Sequence, residues 1–130
     1  MTFLRFRTVC TVLFCAGLLA LFWIPQRMLM QSADEWNRAA EEAADLMRAG
    51  EYERGKRVCK ALYESFRDRM DALERFLNHD AVDAVLTSLR EASALAEAGD
   101  AAGTLSALAS AQGGIDHLVC IERFTWNALL

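Results

Sequence analysis

Residues 52–77, YERGKRVCKALYESFRDRMDALERFL, decide the fold class of this chain. Apolar or small residues recur there in steps of three or four, and charged residues fill most positions between them. This spacing matches the 3.6-residue turn of an α-helix and predicts one apolar stripe along one helix face. The stripe consists of Tyr52, Gly55, Cys59, Leu62, Phe66, Met70, Leu73 and Leu77.

The rest of the chain also has the composition of helices. No proline follows Pro25, and the aliphatic β-branched residues that favour strands are few after that point. Gly50 and Gly99 are glycines that can end helices. Ser32 with Glu35 three residues later forms a capping box, and the aspartates of residues 80–83 can cap a further helix. We therefore predict helices at 32–49, 52–78, 80–98 and 101–121, and the first is free to continue from the segment before it.

A short internal repeat connects these helices in pairs. Residues 46–51, LMRAGE, resemble residues 95–100, LAEAGD, and each stretch joins two helices through a tight turn. Short connections make neighbouring helices antiparallel. The predicted fold is all-α, with an N-terminal transmembrane helix followed by an antiparallel four-helix bundle or two stacked helical hairpins.

Residues 8–25, TVCTVLFCAGLLALFWIP, are an uncharged run between Arg7 and Arg27. As a helix this run is about 27 Å long, which is just enough to cross a hydrocarbon core. Residues 31–33, QSA, place a large side chain where a signal-peptidase site needs a small one, so we interpret the run as an uncleaved anchor. We expect residues 1–30 to be this anchor in the cell membrane, with a cytoplasmic N-terminus, and residues 31–130 to be an extracytoplasmic domain.

The charge balance argues against nucleic acid as a partner. The chain has 14 basic and 18 acidic residues, and three of the basic residues lie in residues 1–30, which contain no acid. The body therefore has 11 basic and 18 acidic residues, a net charge of −7, and its basic residues are interleaved with acids. A surface of that charge repels a phosphate backbone.

Two groups of residues are candidates for interaction or structural roles. The first is a corner between two predicted helices, where a histidine and acids occur together. A metal site there would need the helix of His117 and Glu122 to pass near. We interpret the corner instead as a helix cap with an interhelical hydrogen bond. The second is an apolar tail, which either docks a partner or the bilayer surface or packs back near Trp36; we expect its rings to be buried. The corner consists of Asn78, His79, Asp80 and Asp83, and the tail includes Phe124, Trp126 and Leu129.

The sequence contains no recognisable catalytic or cofactor-binding motif. No nucleophile is paired with a base and no glycine-rich phosphate loop is present, so we expect neither enzyme activity nor a bound cofactor or metal. Cys59 and Cys120 are the only cysteines after residue 30. We expect them not to form a disulfide, because Cys59 lies on the apolar stripe of its helix and Cys120 lies just off the apolar stripe of its own helix.

The chain resembles the bacterial family catalogued as domain of unknown function 4363, whose members have an N-terminal membrane anchor and an all-helical remainder. The resemblance is carried by the anchor, by residues 50–52 (GEY), by residues 76–80 (FLNHD) leading into Asp83 and residues 87–89 (TSL), and by residues 127–129 (NAL). Tyr52 stands where the family pattern has tryptophan. The resemblance implies the anchored helical architecture and assigns no activity.

These patterns favour a single-pass membrane protein whose helical domain is a binding or accessory module for another membrane or envelope protein, or for a second copy of itself. The main alternative is a ligand-sensing bundle, which would have to signal through a partner because only seven residues precede the apolar run. An enzyme is the least favoured reading.

Overall fold

A computed structural model describes residues 1–73, 75 and 77–129, and within this range it leaves out the side chains of Leu73, Trp126 and Leu129. The described residues form four helices and no strand. They are α1 (Thr2–Arg48), α2 (Tyr52–Leu73), α3 (His79–Glu97) and α4 (Ala101–Leu129). Each helix packs against the next along the chain, and α1 also packs against α4. The fold is therefore an antiparallel four-helix bundle, as one of the two predicted arrangements required.

The first helix begins long before Ser32, where the sequence predicted its N-terminal cap. α1 is helical from Thr2 to Arg48 and includes Pro25, so no new helix begins at Ser32. Ser32 lies in the middle of α1 and is buried, which makes the predicted capping box wrong. The same helix thus has an exposed apolar part and, from Leu29 onward, a part that contributes to the bundle core.

The two glycine turns were predicted correctly and have the same geometry. Gly50 and Gly99 have φ angles of 79° and 78°, a region that glycine enters without steric cost. In each turn the glycine N–H and the following N–H donate to carbonyls of the preceding helix, which is the Schellman pattern. After the second turn, the Asp100 carboxylate accepts the Gly103 N–H at 2.8 Å and caps α4.

The repeat extends well beyond these turns, because buried positions of the first hairpin recur 49 residues later in the second. In α1 and α3 the equivalent buried positions are Ala33 and Val82, Trp36 and Val85, Ala40 and Leu89, Ala43 and Ala92, and Met47 and Ala96. In α2 and α4 they are Gly55 with Thr104, Cys59 with Leu108, Leu62 with Ala111, and Phe66 with Ile115. The two hairpins therefore contribute equivalent faces to one core.

Three predicted boundaries and one stripe position need correction. α2 ends at Leu73 and not near residue 78, since Asn78 is already extended, with ψ of 114°, and caps α3. α3 therefore begins at His79, one residue before the predicted start, and α4 continues to Leu129, eight residues past the predicted end. Tyr52 is 53% exposed and is not part of the core, although Cys59 and Phe66 of the same stripe are buried.

Candidate functional site

The apolar part of α1 has the properties of a membrane span. α1 contains an 18-residue window that is long and apolar enough to cross a membrane, and none of that window is buried against the rest of the chain. An apolar helix of the bundle core would be covered by its neighbours, as Leu29 is at 1% exposure. At the end of the run, the Arg27 guanidinium lies 4.8 Å from the centre of the Trp23 ring. Such a pair of tryptophan and arginine suits a membrane–water interface.

The corner residues cap a helix at the end of the bundle nearest this apolar run. The Asn78 side-chain oxygen accepts the Ala81 N–H at 3.1 Å, so Asn78 and not Asp80 is the cap of α3. His79, Asp80 and Asp83 are exposed. The corner therefore stabilises the start of α3, and its cap was assigned two residues too late from the sequence.

Glu122 on α4 contacts this corner. Burial raises the pKa of the Glu122 carboxyl, and a hydrogen bond from the Asn78 backbone N–H opposes that shift in part. His117 is exposed. In the described part of the chain, no group of three or more His, Cys, Asp or Glu residues is placed to hold a metal ion.

Polar contacts between α1 and α4 show the register of these two helices. The Asn37 amide donates to the Asp116 carboxylate at 3.1 Å, and the Gln112 amide donates to the Glu41 carboxylate at 3.1 Å. The Asn37 side-chain oxygen is buried without a hydrogen-bond partner among the described residues. These contacts were not predicted, because an amide and a carboxylate on separate helices give no signal in one sequence.

An open groove of about 280 Å³ follows this same α1–α4 contact. It is lined by Met30, Ala33, Asp34, Asn37, Asp116, Val119 and Arg123. Two further grooves lie where α1 meets α2 and are also open to solvent. Such grooves are accessible to the side chains of another protein and do not enclose a small molecule.

A second polar cluster joins α2 to α3. The Arg90 side chain donates to the Tyr63 hydroxyl at 3.5 Å, and this hydrogen bond lowers the Tyr63 pKa. The Arg67 guanidinium lies 5.6 Å from the Tyr63 ring centre and also pairs with Asp68 at 3.5 Å. Arg67, Asp68 and Arg90 are exposed and Tyr63 is half-buried, so the cluster is a contact between helices at the surface.

The predicted tail begins as an exposed surface. Phe124 is 75% exposed, so the expectation that its ring is buried was wrong. Trp36, its expected neighbour, instead packs edge-on against Phe66 on α2. The side chains of Trp126 and Leu129 lie outside the described residues.

The cysteines of the body lie in different surroundings. Cys59 is buried and Cys120 is exposed, and both are free thiols. Burial raises the pKa of Cys59 to about 11. The thiol of Cys59 is therefore a core side chain and not a reactive nucleophile.

No family model, curated protein or solved structure matches this chain. The resemblance to domain of unknown function 4363 therefore stays a prediction.

Proposed function

We propose that this protein is a single-pass membrane protein whose extracytoplasmic helical bundle is a binding or accessory module for another protein of the membrane or envelope, or for a second copy of itself. The continuity of α1 is the observation that best supports the proposal. One helix contains both the exposed apolar run and a quarter of the bundle, including the buried Trp36 and Met47. The bundle is thus joined to its anchor through a helix, which keeps the bundle next to other proteins in the same membrane.

Open grooves on the bundle surface also suit contact with another protein. The grooves along α1 are open and lined by mixed charged and apolar side chains, such as Glu42 and Val58. A ligand-sensing bundle, which would need an enclosed pocket, remains the alternative. The proposal assigns no catalytic role to the chain.

Reporter fusions test the anchor and its orientation. One reporter is active only outside the cytoplasm and another only inside, and each is fused to the C-terminus of the full chain. We expect activity from the outside reporter alone. Leu18→Arg, which places a charge in the middle of the run at a cost of about 2.5–3.5 kcal/mol, should release the chain from the membrane fraction. Ala102→Arg, at an exposed position of the bundle, is the matched control and should leave the chain in that fraction.

Crosslinking in the native membrane tests the binding role. We expect one defined crosslinked species, either with another membrane protein or with a second copy of this chain. The same species should form when residues 8–25 are replaced by an unrelated span, because the proposal places the binding surface on the bundle. Loss of the species in that variant would assign the interaction to the span, and its absence from the native chain would contradict the proposal.

A further inference from the structure

We propose that the end of α4, residues 123–129, lies in the headgroup region of the same bilayer that α1 crosses, where Phe124 contacts lipid. This inference rests on the proposed membrane anchorage. It adds a second membrane contact, on a helix that is not the anchor.

The register of α1 and α4 gives the height of this segment. Asn37 pairs with Asp116, and Glu41 pairs with Gln112. In both pairs the residue numbers sum to 153, as expected for two antiparallel helices in constant register. The same register places Phe124 level with Leu29 and residue 127 level with residue 26. Because α4 remains helical to Leu129, its end passes the level of Arg27.

That height coincides with the edge of the proposed span. Leu29 follows Pro25 by four residues, which is about 6 Å along a helix. The headgroup region on each side of a bilayer is about 5–7 Å thick. Phe124 is thus at headgroup level, and the last turn of α4 is beside the boundary of the hydrocarbon core.

The chemistry of the segment fits this location. Residues 124–129, FTWNAL, contain no charge, and they follow directly on Arg123. Phe124 is 75% exposed, although a large apolar side chain gains free energy by leaving water. Aromatic residues beside a cationic residue suit the interface, and the exit of α1 has the same composition in Trp23 and Arg27. The nearest acid on α4, Glu122, is partly buried against Asn78 and is not presented to the headgroups.

Site-specific photocrosslinking tests the contact in the full chain. The photoreactive residue p-benzoylphenylalanine is placed at one position at a time, and the protein is reconstituted into vesicles of phosphatidylcholine and phosphatidylglycerol. The three positions are Phe124, Phe14 within the span, and Tyr52 at the opposite end of the bundle. All three are exposed aromatic residues, so the substitution disturbs none of the core. Lipid adducts are identified by mass spectrometry.

We expect lipid adducts at positions 14 and 124, and a yield about tenfold lower at position 52. Adducts at 14 without adducts at 124 would overturn the inference and leave the anchor intact. Adducts at 124 to a second protein chain instead of lipid would overturn it as well and identify a protein interface. An absence of lipid adducts at 14 would contradict the anchor itself, and the inference with it.

Discussion

The indole ring of Trp36 on α1 packs edge-on against the ring of Phe66 on α2, with 4.7 Å between the ring centres and 60° between their planes. The Trp36 N–H is also 3.4 Å from the Ser65 hydroxyl, which accepts a hydrogen bond from it. Both rings are buried, so this pair fixes the contact between the first two helices. In the second hairpin the equivalent positions, 49 residues later, are the buried Val85 and Ile115, which are smaller and β-branched.

Truncation of a ring in this pair should be costly. Phe66→Ala removes a fully buried ring and should lower the free energy of unfolding by about 3–5 kcal/mol. Phe124→Ala makes the same chemical change at an exposed position and should change that free energy by less than about 0.5 kcal/mol. Urea titration of the full chain in micelles, followed by tryptophan fluorescence, measures both values. Equal losses in the two variants would show that Phe124 is a core residue.

The adjacent glycines of α4 should respond in opposite ways to alanine. A Cβ at Gly113 meets no atom within 4 Å, so Gly113→Ala should stabilise the helix by about 0.5–1 kcal/mol. A Cβ at Gly114 would lie 2.8 Å from a methyl carbon of Val85, so Gly114→Ala should destabilise the bundle by about 1–3 kcal/mol. Adding Val85→Ala should reduce the cost of Gly114→Ala. A double-mutant cycle measures this coupling, and strict additivity would contradict the close approach of α3 and α4.

The positive φ of the two turns should make them sensitive to a side chain. Gly50→Ala places a Cβ in the left-handed region and should cost about 1 kcal/mol, and Gly99→Ala should cost a similar amount because the two turns share one geometry. Gly50→Asn should cost less, since asparagine tolerates this region better. Thermal unfolding of the three variants provides the comparison. A neutral Gly50→Ala would mean that the turn adopts another conformation in solution.

The thiol of Cys59 should be protected by the fold. A maleimide reagent at pH 8 should label Cys120 in the native chain and should label Cys59 only after unfolding, because Cys59 is buried and its pKa is raised to about 11. Mass spectrometry of the peptides assigns the labelled sites. Labelling of Cys59 as fast as that of Cys120 would contradict its burial.

The raised pKa of Cys59 should also make the stability of the fold depend on pH. A thiol whose pKa is higher in the folded state binds its proton more tightly there, so it contributes stability below its ordinary pKa of 9.0. That contribution should be lost as the pH rises from about 9 to about 11. Cys59→Ala removes the titrating group, so the loss of stability over this range should be smaller in that variant.

Much of this architecture was accessible from the sequence because its signals are local. Gly50 and Gly99 end helices through their own backbone freedom, and the three- and four-residue spacing of Cys59 and Phe66 reflects one turn of one helix. The predicted cap at Ser32 failed because a serine followed by an acid also occurs within a helix when no competing turn interrupts it.

The candidate site was less predictable because it depends on contacts between helices. To predict the register seen in the Asn37–Asp116 pair, one must know which faces of α1 and α4 meet. The exposure of Phe124 follows from the length of α4, which continues past the point where the apolar spacing weakens. One sequence contains neither kind of information.

Because α1 is one continuous helix, a change in the tilt of its apolar part also moves the bundle. From Arg27 to Arg48 the helix is about 32 Å long, so the proposed anchorage would hold the turns at Gly50 and Gly99 roughly that far from the bilayer. A tilt of the span by about 20°, which is ordinary for such helices, would move those turns sideways by about 11 Å. A neighbouring membrane protein that extends less than about 32 Å from the bilayer would contact only the sides of the helices. A protein that extends further would reach the two turns, and a force on the turns would change the tilt of the span.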